Sequence, residues 1–185
     1  EDHFDHSFEL EETLAAKGKD EALHLVKDML HTPGSVFYVR QQQPAGLGHA
    51  VWCARHLVGS EPVAVLLADD LILGASCVKE MVDAYKGGNM VAVMDVPHEQ
   101  TGSYGIVTPG ADDGRIVQVE GLVEKPDPSS APSNIAVVGR YIITPEVFET
   151  LAAQERGAGG EIQLTDALAK QIGKAPFSGV RFSGE

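Results

Sequence analysis

Two adjacent carboxylates, Asp69 and Asp70, close the apolar run "PVAVLLADD". Open α/β sheets hold their ligands just past the carboxyl ends of strands, and a carboxylate there supplies the hard oxygens that suit Mg2+. Side chains alternate along a strand, so only one of the two is expected to enter a site. The plainer account is a turn aspartate that caps local backbone. A second stretch, "VEKP", carries Glu124 and Lys125. The glutamate can accept from hydroxyls and the lysine can hold a phosphate. Here the plainer account is two solvated charges at an exposed strand end. Pro126 biases Lys125 toward extended backbone.

Glycines mark the other stretches. In "QPAGLGHAVWCA", Gly46 and Gly48 stand just before an apolar run that fits a helix. Either a turn needs them, or the main chain comes close to something flat or charged. Gly105 in "GSYGIV" and Gly139 in "VVGRYI" each lie in a strand, as a bulge or as a close approach to a ligand, and for Gly105 the bulge is the simpler choice. In "GGEIQLTD", helix capping accounts for Thr165 or Asp166, while Glu161 has no structural explanation in the sequence. The seven histidines show no metal-ligand spacing. His3, His6, His49 and His56 read as surface or packing residues. There is no GxSxG elbow and no Walker loop. Cys53 and Cys77 lack a nucleophile's surroundings and read as free thiols in a reducing compartment.

The elements that must position these residues alternate. Ser7 is placed to cap a first helix bearing Leu10 and Leu14, and Gly18 interrupts it. A second helix, from about Lys19, carries Leu23, Val26 and Leu30 at helical spacing. "SVFYVR" reads as a buried strand, 50–57 as a helix, and "PVAVLLADD" as a strand buried on both faces of a parallel sheet. A helix over 75–85 and the strand "MVAVMDV" follow. This order is that of a doubly wound sheet. After Pro97, "YGIVTPG", "RIVQVEGLVEKP" and "IAVVGRYIIT" are strands without a convincing helix between them. "TPEVFETLAAQ" restarts helix with Thr144 as N-cap and Pro145 at the first position. "LTDALAKQI" is a short helix, and "PFSGVRF" a last strand.

The 185 residues favour one domain, 1–185, large enough for a real core. A net charge of −13 repels phosphate backbones, so no nucleic-acid polymer is expected as a partner. No stretch has the length and polarity of a membrane span, and the acidic N-terminus is no signal peptide. A cytoplasmic protein is therefore expected. The chain lacks an initiator methionine, so it is expected to begin partway through a protein or after processing.

Taken together, "RQQQPAGLGHAVWCA", "PVAVLLADDLIL", "SYGIV", "GLVEKP", "NIAVVGRYI" and "GGEIQLTDA" resemble the bacterial UTP–glucose-1-phosphate uridylyltransferase (UDP-glucose pyrophosphorylase) family, in that family's order and across nearly the whole chain. The resemblance implies a sugar nucleotidyltransferase fold: α/β, Rossmann-like, a mixed and mostly parallel sheet flanked by helices. It implies UTP and glucose 1-phosphate as substrates, UDP-glucose and pyrophosphate as products, Mg2+ as cofactor, and a homo-oligomer. By resemblance, residues 1–96 form the nucleotide-binding part and 97–185 the sugar-phosphate-binding part. Gln41 would bond the pyrimidine, and Gly46 would let backbone lie against it. Asp69 would bind Mg2+, with Asp70 facing away. Gly105 and Gly139 would border the sugar, Glu124 would accept from its hydroxyls, and Lys125 would hold its phosphate. Glu161 is a further candidate for that pocket. The family's GxGTR loop, its "PKE" lysine and a second conserved aspartate are not among these residues. An internal fragment, weak or inactive alone, is therefore expected. The rival readings are a relative using dTTP or another sugar 1-phosphate, and a non-catalytic sugar-nucleotide-binding module.

Overall fold

The computed structural model describes residues 4–153 and 155–184; His3 lies outside them, as does Gln154 at the end of a predicted helix. Contacts group the chain into two units, Glu1–Arg40 and Gln41–Glu185. In the first unit, α1 (Phe8–Ala16) and α2 (Asp20–Asp28) flank Gly18, whose φ of +64° allows the tight reversal. Leu14, Leu23, Val26 and Leu30 are half-buried, as their spacing predicts, whereas Leu10 is exposed. Ser7 does not cap α1 with its side chain; Glu11 reaches back instead, accepting from the Ser7 N–H at 3.2 Å. The expected strand over 35–40 is absent. Val36, Phe37, Tyr38 and Val39 are all exposed, so the run buries no apolar face of the kind a stable strand needs.

The second unit holds one six-stranded sheet. Its strands are β1 (Val63–Leu66), β2 (Asn89–Asp95), β3 (Gly105–Asp112), β4 (Ile116–Glu124), β5 (Ile135–Ile143) and β6 (Phe177–Arg181), in the order β1-β5-β2-β6-β4-β3. A single register pair, Ile106 with Ala136, brings β3 back onto β5. The sheet is mixed, as expected, but the expected predominance of parallel pairing is not found. Among the named strands only β2 and β6 run parallel. The short connection between β3 and β4 forces that pair to be antiparallel. The reading of β1 as buried on both faces also fails. It is short, pairs antiparallel with β5 alone, and leaves Ala64 and Leu66 exposed at the sheet's edge.

Helices cover both faces, and period-two alternation on β2 shows why. Val91 and Val93 join one core cluster with Val51 of α3 (Leu47–Cys53), Phe148 of α5 (Glu146–Ala152) and Leu168 of α6 (Leu164–Ala169). Met90 and Ala92 join another with Cys77 and Met81 of α4 (Cys77–Ala84). Each buried Val, Leu, Phe or Met among these contributes about 1.5–3 kcal/mol through removal of apolar surface from water. Ser76 caps α4 through the Lys79 N–H. No helix among the described residues is long and apolar enough to cross a membrane.

At the carboxyl ends of three strands, Arg181 of β6 donates to Asp95 of β2 at 3.1 Å and to Asp112 of β3 at 2.9 Å. The Arg181 hydrogen bond, and then the Gly114 N–H, hold the Asp112 carboxyl below its ordinary range. A depressed folded-state pKa gives stability that is present above the unfolded-chain pKa and is lost as pH falls through the folded one. Asp112→Asn is therefore expected to show a shallower fall in urea midpoint than the native chain as pH drops below the ordinary aspartate pKa. Parallel curves for the two proteins would rule out this contribution.

Candidate active site

The site begins at an irregularity in β5. Val91 pairs with Tyr141 but Ala92 pairs with Val138, so Gly139 and Arg140 bulge out of register opposite β2. Gly139 thus lies in a bulge, one of its two expected settings. Its freed N–H donates to the Asp70 carboxylate at 2.8 Å. A Cβ at this position would come within 2.7 Å of the Leu67 Cβ and would also strike that carboxylate. Arg140 completes the tie. Its Nη1 donates to the carbonyls of Leu67 at 2.9 Å and Gly139 at 2.8 Å, and its Nη2 to the carbonyl of Asp70. Asp70 thus does more than face away, because it fastens the segment after β1 onto β5. Asp69 is left exposed between these anchors. No group of three or more His, Cys, Asp or Glu side chains among the described residues converges on a metal position.

A second patch forms where β3 and β4 meet. Gly105 stands opposite Glu124 in regular register, and the irregularities of this pair lie further along, around Pro109. Bulging therefore does not explain Gly105. A Cβ there would lie 3.3 Å from Glu124 Oε2 and 3.5 Å from Thr165 Oγ1, so the glycine keeps open the space between these two polar groups. Lys125 is exposed and not extended. Its φ of +45° is the one positive value at a non-glycine residue among those described, and its N–H donates to the Tyr104 carbonyl at 2.9 Å. That bond ends the β4 ladder and turns the chain despite the following proline. A positive φ at a non-glycine residue costs on the order of 1 kcal/mol or more, and such positions cluster at functional sites.

The glycine stretch makes a third patch. Gly46 has φ +103°, and a Cβ on it would lie 2.8 Å from both the Glu161 Cβ and the Ile162 carbonyl oxygen. The Ile162 N–H donates to Ala45 O and the Gly48 N–H to Ile162 O, each at 2.8 Å. The glycines are thus required by close approach to the chain's own 161–162 segment. Glu161, which the sequence left without a reason, sets its Cβ against Gly46, and its carboxylate accepts from Gln163 at 3.1 Å. The Gln41 amide nitrogen lies 3.1 Å from Gly46 O and 2.9 Å from His49 Nδ1.

These patches are contiguous. Glu161, just before α6, and Thr165, in its first turn, are four residues apart, so the Gln41–Gly46 patch adjoins the Gly105–Glu124 patch. Tyr141 joins the first two. Its phenol is pushed well above its ordinary pKa, first by burial and then by the negative charges of Glu124 and Asp70. Sequence reasoning missed four residues here. Thr165 was expected as a cap, yet α6 has Gln163 at its N-cap, with no capping bond from its side chain, and Thr165 is buried. Arg140 was detectable as a lone cation in an apolar strand. Tyr141 gave no signal. His49, read as surface or packing, is bonded to a candidate site residue.

A mixed sheet with polar residues gathered beyond its strand ends is the architecture of a nucleotide-handling α/β enzyme. The family model described as "Nucleotidyl transferase" matches residues 5–180, and the chain belongs to that family. It is 51% identical over 187 residues to the UTP--glucose-1-phosphate uridylyltransferase of Komagataeibacter xylinus, covering 100% of this chain and 66% of that protein. It is 49% identical over 173 residues to the enzyme of that name from Bacillus subtilis (strain 168), covering 92% and 59%. A crystal structure of UDP-glucose pyrophosphorylase complexed with UDP-glucose superposes with a TM-score of 0.87 at 36% identity, covering 100% of this chain and 68% of that one. The chain thus spans about two thirds of the length of the curated relatives it matches.

The bulge gives a direct test of the site's framework. Gly139→Ala forces the new Cβ into Asp70 and Leu67, and overpacking of this kind costs about 1–3 kcal/mol. For a chain of this size the thermal midpoint is expected to fall by roughly 2–12 °C. An unchanged midpoint by circular dichroism would show that the bulge relaxes freely.

Proposed function

We propose that this chain supplies the base, metal and sugar-phosphate side of a UTP–glucose-1-phosphate uridylyltransferase. The observation that carries the reading is that Gln41, Asp70, Gly105, Glu124 and Glu161, far apart in sequence, belong to contiguous patches, in a chain whose curated relatives bear that name. Residues 1–96 form the nucleotide-binding part and residues 97–185 the sugar-phosphate-binding part. Gln41 meets the uracil edge, with the Gly46 main chain beside it. Gly105 and Gly139 border the glucose, Glu124 accepts from its hydroxyls, and Glu161 lies at the same pocket.

The reaction needs little covalent chemistry from the protein. A phosphate oxygen of glucose 1-phosphate attacks the α-phosphorus of UTP in line, a new P–O bond forms, and the bond to the departing pyrophosphate breaks. Catalysis is positioning and charge neutralisation. Lys125 holds the sugar phosphate, and its turned backbone, with the N–H bonded to the Tyr104 carbonyl, leaves the residue exposed at the end of β4. The donor set fits magnesium. This ion accepts one or two carboxylates and takes its remaining ligands from phosphates and water, so exposed Asp69 suffices on this side without a protein cage. When bound, Mg2+ supplies Lewis-acid neutralisation of phosphate charge.

Calorimetric titration with UDP-glucose and Mg2+ tests the reading. Saturable binding is expected, weakened about tenfold or more in Asp69→Ala and in Lys125→Ala, as loss of a charge-assisted contact implies. Absence of binding by a folded native chain would overturn it. In turnover by a complete enzyme, Lys125→Ala is expected to lose about a hundredfold, the usual cost of removing one transition-state charge contact. Near-native turnover would remove Lys125 from the mechanism.

A further inference from the structure

We infer that His49 is a positioning residue that locks the Gln41 amide with its oxygen outward, so that the site selects a base presenting an N–H donor over one presenting a bare ring nitrogen. The inference rests on the proposed role of Gln41 at the base and deepens it.

The argument is a count of donors and acceptors. The Gln41 amide nitrogen carries two hydrogens. One points to the Gly46 carbonyl at 3.1 Å, which can only accept. The other points to His49 Nδ1 at 2.9 Å. A ring nitrogen facing an NH2 group must be the unprotonated one, so the imidazole carries its hydrogen on Nε2. On that side lies Cys53 Sγ at 3.9 Å, a weak acceptor that fits this tautomer. The relay from Gly46 O to Cys53 thus has one consistent direction. Both amide hydrogens are spent, and Gln41 Oε1 is left as a pure acceptor. The imidazole is itself held in place. It stacks on Trp52 at 5.9 Å between centroids, and the Arg55 guanidinium sits 3.5 Å from the other partner in this stack, the Trp52 ring. Arg55 also donates to the Trp52 carbonyl at 3.2 Å.

An outward acceptor matches the N3–H of uracil. Cytosine presents a bare N3 and an amino group at C4, so it would meet lone pair with lone pair at N3. Accepting cytosine at N3 would require the amide to flip. With His49 present the flip sacrifices two hydrogen bonds; without it, the flip sacrifices only the one to Gly46. One neutral hydrogen bond corresponds to about fivefold in an equilibrium constant.

The test compares UDP-glucose with CDP-glucose, which differ only in the base, by calorimetry on the native chain, His49→Leu and His49→Asn. The native chain is expected to favour UDP-glucose at least tenfold. His49→Leu removes the acceptor and should narrow that ratio about fivefold. His49→Asn keeps an acceptor near the position of Nδ1 and should retain the native ratio, a rescue that simple packing at this position would not produce. A folded His49→Leu protein with an unchanged ratio overturns the role of His49 while leaving the base site intact. Failure of the native chain to bind UDP-glucose would instead overturn the site reading beneath it. Nitrogen-15 spectra of the native imidazole give a measurement that needs no variant. Protonation at Nε2 is expected at neutral pH, and a neutral ring protonated at Nδ1 would refute the inference.

Discussion

The bond from the Gly139 N–H to the Asp70 carboxylate is the constraint on which the site depends. It exists because β5 steps out of register opposite β2, releasing a donor that a regular ladder would consume. It requires glycine, because any side chain would occupy the acceptor's place. Arg140, the other bulge residue, spends its guanidinium on main-chain carbonyls of the same segment. An edge strand of four residues would otherwise fray, and the exposed carboxylate beyond it would have no fixed address. Irregularity in β5 is thus converted into order beside Asp69.

The same economy appears in the glycine stretch. A loop that reads as an approach to a ligand is first an approach to the protein itself, through Ala45, Gly48 and Ile162. This does not oppose a role at the base. Main chain seated against 161–162 is already organised when a flat ring arrives, so little conformational entropy remains to be lost on binding.

Legibility in the sequence followed the physics of each signal. Local patterns carried through: the stripe of Leu14, Leu23, Val26 and Leu30, the strand over 89–95, and the mixed α/β class rest on periodicity and burial. Pairing direction did not carry through, because an apolar run such as "VAVL" states that it is buried and not which neighbour buries it. "SVFYVR" shows the same limit, with the composition of a strand but exposed residues and no strand formed. Among candidate site residues, Gly139 was legible as an anomaly but not as a bulge holding Asp70. Lys125 was misjudged because the proline rule describes a preference, while the bond to Tyr104 is specific to this fold. Thr165 and His49 each had an ordinary local explanation, and only spatial neighbours revealed another.

The tie between Asp70 and Gly139 joins residues 69 positions apart, and that between Arg181 and Asp95 joins residues 86 apart. Closing loops of this length costs entropy before any contact repays it. The chain must therefore assemble most of its sheet before Asp69 acquires a location. A nascent or partly unfolded chain can contain formed helices and still have no site, so recovery of ligand binding during refolding should trail the return of helical signal.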